Sequence, residues 1–356
     1  MSFNNVIGQE RVKRALRQAL ENGRLAHAIL LYGPEGVGKR AMAIELAKAV
    51  NCTRARTDAC DRCNSCHKIS SLQHPDLKVI FPGPAQLPVE EEVSVLQKIA
   101  EDNYQPVGFG KSVTIPIDKI RELRKQASYH PYEGKRKVAI VLGADQMRPE
   151  AANALLKILE EPPGTMLLIL TATNPSSLLP TILSRCQRIR LNHLSRVEIE
   201  EALVERKKIS SERAKVIAGL ANGSFTRALF MAEEQVLDEY RNTAWTLLET
   251  ALGADSTEKL DLVETIAREK DRAGLEHLLE LILLSLRDIL LWGEGHQEKI
   301  TNIDRTGRVR ALAEKIDSKE VERLSREVES SLEMISRNVN PELILIGLAE
   351  QLHTLE

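Results

Sequence analysis

The segment Gly33 to Arg40, GPEGVGKR, constrains this chain more than any other. It follows the apolar run Ala28-Ile29-Leu30-Leu31-Tyr32 and precedes a helix-forming run from Ala41 to Val50. A buried strand, a glycine-rich turn and a helix form the context of a phosphate-binding loop, G-x-x-x-x-G-K-[ST]. Backbone N–H groups of the turn and of the helix N-terminus together make an anion site. Gly33, Gly36, Gly38 and Lys39 are therefore the expected phosphate contacts, and Arg40 completes the expected residues of this degenerate nucleotide-binding loop. The last position departs from the pattern: Arg40 stands where a hydroxyl should hold Mg²⁺, and a guanidinium cannot ligate a cation.

A second part of a hydrolytic site is missing as well. Such a site carries a carboxylate at the end of a neighbouring strand. Here the strand Lys137 to Leu142 runs into Gly143, Ala144 and Asp145. Leu142 and Gly143 occupy the expected acidic positions, and Asp145 comes three residues late, on the following turn. The expectation is a loop that holds ATP or ADP without hydrolysing it. A vestigial, empty loop is the alternative.

Cys52, Cys60, Cys63 and Cys66 follow the loop's helix with spacing C-x7-C-x2-C-x2-C. Thiolates bind Zn²⁺ tetrahedrally, and two-residue spacers let a tight turn present sulfurs to one ion. A redox pair would need only one such spacer. Four protein ligands close the coordination sphere, so the expected zinc is structural. His67 could replace a sulfur, and the remote Cys186 is not expected to be a ligand.

The length of 356 residues suits roughly two or three domains at ~100–200 residues each. A third strand, Thr165 to Thr171, and a helix from Glu150 to Glu161 extend the alternating pattern of a parallel α/β sheet. Beyond Leu194 the reading is helical. Ser195 and Glu198 form a capping box, and Asn340-Pro341 is a start signal for the last helix. Boundaries are expected near His193 and Glu234, giving domains 1–193, 194–234 and 235–356. The Pro-flanked segment Phe81 to Lys111, with a helix from Glu90 to Asp102, reads as an insertion of no evident function.

Composition narrows the partners. Aromatic residues make up 3% and the net charge is −2. That speaks against a stacking platform for single strands and against a globally basic nucleic-acid binder. The basic stretch from Lys119 to Lys137 is either a solvated helix face or a weak, salt-dependent phosphate contact. No signal peptide is visible, and the apolar stretch Leu278 to Trp292 is interrupted by Glu280, Arg287 and Asp288. The reading is a cytoplasmic protein with no membrane partner.

Several segments together resemble bacterial DNA polymerase III clamp-loader subunits of the AAA+ class. They are Val6-Ile7-Gly8-Gln9, the phosphate loop, the four-cysteine module, Asn153 to Pro163 (NALLKILEEPP) and Thr181 to Cys186 (TILSRC). Within that family the degenerate loop and Gly223-Ser224-Phe225-Thr226-Arg227-Ala228-Leu229 resemble the delta-prime branch rather than the gamma and tau motor subunits. The resemblance implies an AAA+ sheet domain with its zinc module, a helical lid and an all-α collar that forms oligomers. It implies that Arg185 reaches a neighbouring subunit's ATP. It also implies that Thr171 and Thr173 sit where the γ-phosphate is sensed, and that Arg227 matches a second sensor arginine. The implied partners are gamma/tau and delta subunits, the sliding clamp and primer-template DNA. Two other readings remain: an active motor with an unorthodox Mg²⁺ site, and a zinc-dependent nucleic-acid-binding protein on a vestigial nucleotide fold.

Overall fold

Five short strands make one all-parallel sheet in the order β2-β3-β4-β1-β5. They are β1 (Ala28–Tyr32), β2 (Leu77–Ile80), β3 (Lys137–Val141), β4 (Met166–Ala172) and β5 (Gln187–Arg190). In the computed structural model the described residues are 2–84, 86–106, 113–162, 164–233, 236–253, 256–270, 272–336 and 339–351. Strands β1, β3 and β4 are nearly continuous apolar runs because both faces of the sheet are covered. Leu30, Val141, Leu168 and Leu170 pack with Ile120 and Leu123 of α5 (Ile117–Ala127) and Leu155 and Leu159 of α6 (Pro149–Glu160). Helix α2 (Lys39–Asn51) also packs on the sheet, with residues 41–51 all buried. Its Ala-rich sequence permits this close approach, and its buried Glu45 and Lys48 pair with each other at 2.9 Å.

The expected strands β1, β3 and β4 are present, with ends shifted by no more than a residue. The sequence reading missed β2 and β5. Strand β5 is the polar edge sequence QRIR, placed by pairing with β1 (Ile29 beside Gln187, Tyr32 beside Arg190) rather than by its own pattern. Helix α1 (Glu10–Glu21) ends at its cap Asn22, and the left-handed Gly23 follows. Helix α3 (Asn64–Ser70) lies inside the cysteine module. The insertion helix is α4 (Val89–Glu101), and residues 107–112, the tail of the expected insertion, lie outside the described residues. Helix α7 (Pro180–Leu183) leads into β5. The capping box of α8 (Arg196–Lys207) forms as expected, with Ser195 Oγ accepting from Glu198 N and Glu198 Oε2 accepting from Ser195 N at 2.7 Å.

Two compact units emerge: Met1–Lys208 with Ala221–Leu229, and Ile209–Leu220 with Phe230–Glu356. The first holds the sheet, α8 and the start of α10 (Phe225–Ala232). The second holds α9 (Ser211–Leu220) and the helices α11 (Val236–Gly253), α12 (Ser256–Glu269), α13 (Arg272–Gly293), α14 (Thr306–Ala313), α15 (Ser318–Ser336) and α16 (Pro341–Gln351). Helix α13 is its axis, contacting α11, α14 and α15. Leu275, Leu278, Leu279, Ile282, Leu286 and Ile289 recur at helical spacing and are all buried. Asn340 caps α16 by accepting from Glu342 N at 3.0 Å. Glu234, which marks an expected boundary, lies outside the described residues. Among the described residues no helix is long and apolar enough to cross a membrane.

Candidate functional site

The loop Gly33–Lys39 connects β1 to α2 at the C-terminal edge of the sheet, where strand carboxyl ends open a crevice. Gly33 has φ 146°, and a Cβ there would lie 2.1 Å from the carbonyl oxygen of Leu191. Only glycine fits. Gly38 caps α2 in the left-handed region, so the first N–H groups of α2 face the crevice. Gly36 accepts from Phe225 N at 3.0 Å, which docks the start of α10 onto the loop.

Lys39 is turned onto its own loop: Nζ donates to Gly33 O at 2.7 Å and to Pro34 O at 2.5 Å. Burial pushes its pKa down to about 8, against the pull of Glu35 and Asp145. Arg40 reaches away from the strand ends. Its Nε donates to Asn103 O at 2.9 Å, and its Nη2 donates to the carbonyls of Asp102, at 3.4 Å, and Gln105. Burial lowers the Arg40 pKa to about 10, with Asp102 opposing. Asp145 sits on the 3-10 turn Ala144–Gln146, the turn foreseen for it, and accepts from Thr173 N and Asn174 N, each at 2.9 Å. Its Oδ2 is thus committed to the end of β4, while its buried Oδ1 has no hydrogen-bond partner among the described residues. Thr171 Oγ1 accepts from Gly143 N at 3.0 Å.

The cavity over the loop has a volume of about 260 Å³ and is walled by Gly36, Gly38, Lys39, Arg40, Thr171, Thr173 and Thr226, among others. Helix α10 contributes Thr226 to this wall, whereas Arg227 beside it is buried, with 8% of its surface exposed. Tyr104 and Gln105 of the insertion also form part of the wall. The sequence reading missed that contribution. Its one signal was a tyrosine in a chain where aromatics make up only 3%.

The four cysteines do come together: one Sγ from each of Cys52, Cys60, Cys63 and Cys66 lies within 4.8 Å of the others. A tetrahedral ion with ~2.3 Å bonds holds sulfurs ~3.8 Å apart, so the cluster fits a metal ion. Two helices present it. Cys52 caps the end of α2, Cys63 caps the start of α3, and Cys66 lies in the first turn of α3. Cys52 Sγ accepts from Ala55 N at 3.3 Å and Cys63 Sγ from Cys66 N at 3.5 Å, contacts that favour thiolates. His67 is exposed and outside the cluster, and Cys186 lies elsewhere, with burial raising its thiol to about 11. Outside the ligand shell, Lys135 donates to Cys52 O, tying the loop before β3 to the module.

Arg185 follows α7 and precedes the edge strand β5. Its Nη2 lies 2.9 Å from Glu160 Oε1 and its Nη1 donates to Thr181 O at 3.0 Å. About a third of the side chain is exposed, and it is not among the residues walling the cavity over this chain's own loop. The basic stretch is largely matched by local partners: Lys119 pairs with Glu92, Arg121 with Asp118, and Lys137 donates to Gln126 O. Arg124 and Lys125 remain on the exposed face of α5.

A parallel α/β unit with a departure from the phosphate-loop pattern at Arg40, four thiols placed to hold one metal ion, and a helical unit is the arrangement of a phosphate-loop α/β protein. A family described as DNA polymerase III, delta subunit, matches residues 8–195, and its C-terminal counterpart matches residues 235–354. The chain belongs to this DNA polymerase III clamp-loader family. It is 29% identical to DNA polymerase III subunit delta' of Bacillus subtilis (strain 168) over 293 residues, 82% of this chain and 80% of that protein. It is 38% identical to subunit delta' of Pseudomonas aeruginosa over 162 residues, 45% of this chain and 42% of that protein. Subunit tau of Escherichia coli (strain K12) is 30% identical over 288 residues, 79% of this chain and 40% of that protein. The chain thus spans about two fifths of the tau relative's length. The clamp-loader resemblance read from the sequence is borne out.

Proposed function

We propose that this chain is the delta-prime-type subunit of a DNA polymerase III clamp loader, supporting ATP-dependent loading of the sliding clamp onto primer-template DNA. Its catalytic contribution is Arg185, offered to ATP held by a neighbouring gamma/tau-type motor subunit. The observation that carries this reading is the placement of Arg185: partly exposed beside the edge strand, off its own cavity, and held by Glu160, Thr181 and Ser184. A guanidinium delivered in trans stabilises charge developing on the transferred phosphoryl group, an effect worth ~10³–10⁵ in rate. The chain's own loop keeps Gly33, Gly36, Gly38 and Lys39 but lacks the Mg²⁺ hydroxyl and the strand carboxylate. Any ATP or ADP it takes is held without hydrolysis.

In this reading Cys52, Cys60, Cys63 and Cys66 hold a structural Zn²⁺ that braces α2 against α3. The division into a sheet domain, a helical lid and a helical collar (1–193, 194–234, 235–356) is part of the proposal, with the collar joining gamma/tau and delta subunits. The setting is cytoplasmic. Turnover by a loader reconstituted with Arg185→Ala tests the central role. Measurable ATP turnover by the isolated chain would instead favour an active motor. Tight DNA binding by the chain alone, lost on chelation, would favour a zinc-dependent nucleic-acid binder.

A further inference from the structure

The insertion, which had no evident role in the sequence, runs directly to the phosphate loop. Tyr104, just beyond the insertion helix α4, is buried, with 4% of its surface exposed. Its hydroxyl accepts from Ile7 N at 2.8 Å, and a Cβ added to Gly38 would lie 2.8 Å from that same oxygen. The ring meets Phe225 edge-on, with centroids 5.1 Å apart, and Arg206 lies 6.0 Å from its centroid. Its carbonyl accepts from Thr226 Oγ1 at 2.6 Å. One tyrosine therefore touches the N-terminal segment, the loop, α8 and the start of α10.

The neighbours of Tyr104 fasten it there. Asp102 Oδ1 accepts from Tyr104 N at 2.8 Å, and Asp102 Oδ2 pairs with Lys207 of α8 at 2.8 Å. Arg40, the residue that spoils the phosphate-loop pattern, donates to the carbonyls of Asp102, Asn103 and Gln105. A serine or threonine is too short to reach three carbonyls at once. The same substitution that removes the Mg²⁺ ligand thus supplies a hook for the insertion. The remaining cavity of about 260 Å³ falls below the ~300–1,000 Å³ of ordinary small-molecule sites.

We propose that the segment Asp102–Pro106 is an internal occupant of the phosphate-loop crevice, anchored by Tyr104 and hooked by Arg40. It holds α8 and the start of α10 against the loop without a nucleotide, and a purine nucleoside di- or triphosphate must displace it to bind. The inference rests on reading Gly33–Lys39 as a nucleotide loop. A ligand that binds only when the segment has left has its apparent affinity reduced by the fraction of chains that are open. Releasing the segment therefore strengthens nucleotide binding without adding any contact to the nucleotide.

The test is ADP binding by calorimetry to the full-length, zinc-loaded chain, comparing native protein with Tyr104→Ala, Tyr104→Phe and Arg40→Ala. Arg40→Ala removes the hook without restoring a Mg²⁺ ligand. The expected result is binding at least tenfold tighter in Tyr104→Ala and Arg40→Ala, with Tyr104→Phe within threefold of native. Equal affinity in all four proteins overturns the proposal. Absence of binding in both released variants also overturns it, because the loop itself is then incompetent. If Tyr104→Ala fails to fold, Arg40→Ala carries the comparison, since it removes only contacts at the rim. Failure here leaves the trans role of Arg185 standing, and failure of Arg185→Ala in a loader leaves this result standing.

Discussion

Arg185 and Glu160 face each other across 2.9 Å, Nη2 to Oε1, joining the end of α6 to the turn before β5. Both side chains are partly exposed, 35% and 48%. An exposed pair of this kind contributes ~0.2–1 kcal/mol, enough to bias the rotamer of Arg185 and too little to trap it. Glu160→Gln should therefore leave loader ATP turnover within about threefold of native and thermal stability nearly unchanged. A loss as deep as that of Arg185→Ala would show that Glu160 itself takes part in the chemistry. ATPase assays on the two loaders, side by side, decide it.

The cysteine module carries its own prediction. Purified chain should contain one zinc per polypeptide, and Cys63→Ala should lose it. Loss of a structural metal frees both the end of α2 and the start of α3, because Cys52 and Cys63 cap them. A loss of ~3 kcal/mol corresponds to a fall in Tm of roughly 6–12 °C. Metal analysis with a thermal melt checks this. Full stability in metal-free protein would contradict it.

Much of this site was legible in the sequence, and the reasons are local. The loop, α2, β1, β3 and β4 announce themselves because a doubly covered parallel sheet demands continuous apolar strands. The cysteine spacing works for the same reason: its geometry is set within fifteen residues. Strand β5 stayed hidden because QRIR has no pattern of its own and exists only beside β1. Tyr104 stayed hidden because its partner Ile7 is 97 residues earlier and Thr226 is 122 residues later. Arg40 was read as a loss, since the carbonyls it holds follow more than sixty residues on.

One of the charges that interrupt the apolar helix α13 also has a use. Asp288 is fully buried and accepts from Thr301 N at 3.0 Å, Asn302 N at 2.7 Å and Asn302 Nδ2 at 2.8 Å. Asn302 in turn accepts from Arg241 at 2.9 Å. Asp288→Ala strands three buried donors and should cost ~3–5 kcal/mol. Urea unfolding of the chain measures it. A change under about 1 kcal/mol would mean the donors find water instead.

The phosphate loop should show a pH signature once the insertion is released. Burial holds the Lys39 pKa at about 8. Phosphates favour the protonated lysine, so its pKa is higher in the complex than in the free chain. In the Arg40→Ala variant, ADP affinity should be flat below the Lys39 pKa of the free variant. It should then fall by up to about tenfold per pH unit above it, until the pKa of the complex is passed. Titrations from pH 6.5 to 9.5 check the slope, and an affinity independent of pH would remove Lys39 from the phosphate contacts.

The measurement closest to the central claim is DNA- and clamp-stimulated ATP turnover by a loader reconstituted from this chain and its motor partners, native against Arg185→Ala. With assembly verified by sizing, turnover should fall at least tenfold, because the motor subunit's ATP loses the guanidinium that this chain supplies. Unchanged turnover in an intact loader would contradict the account and leave the chain as a scaffold.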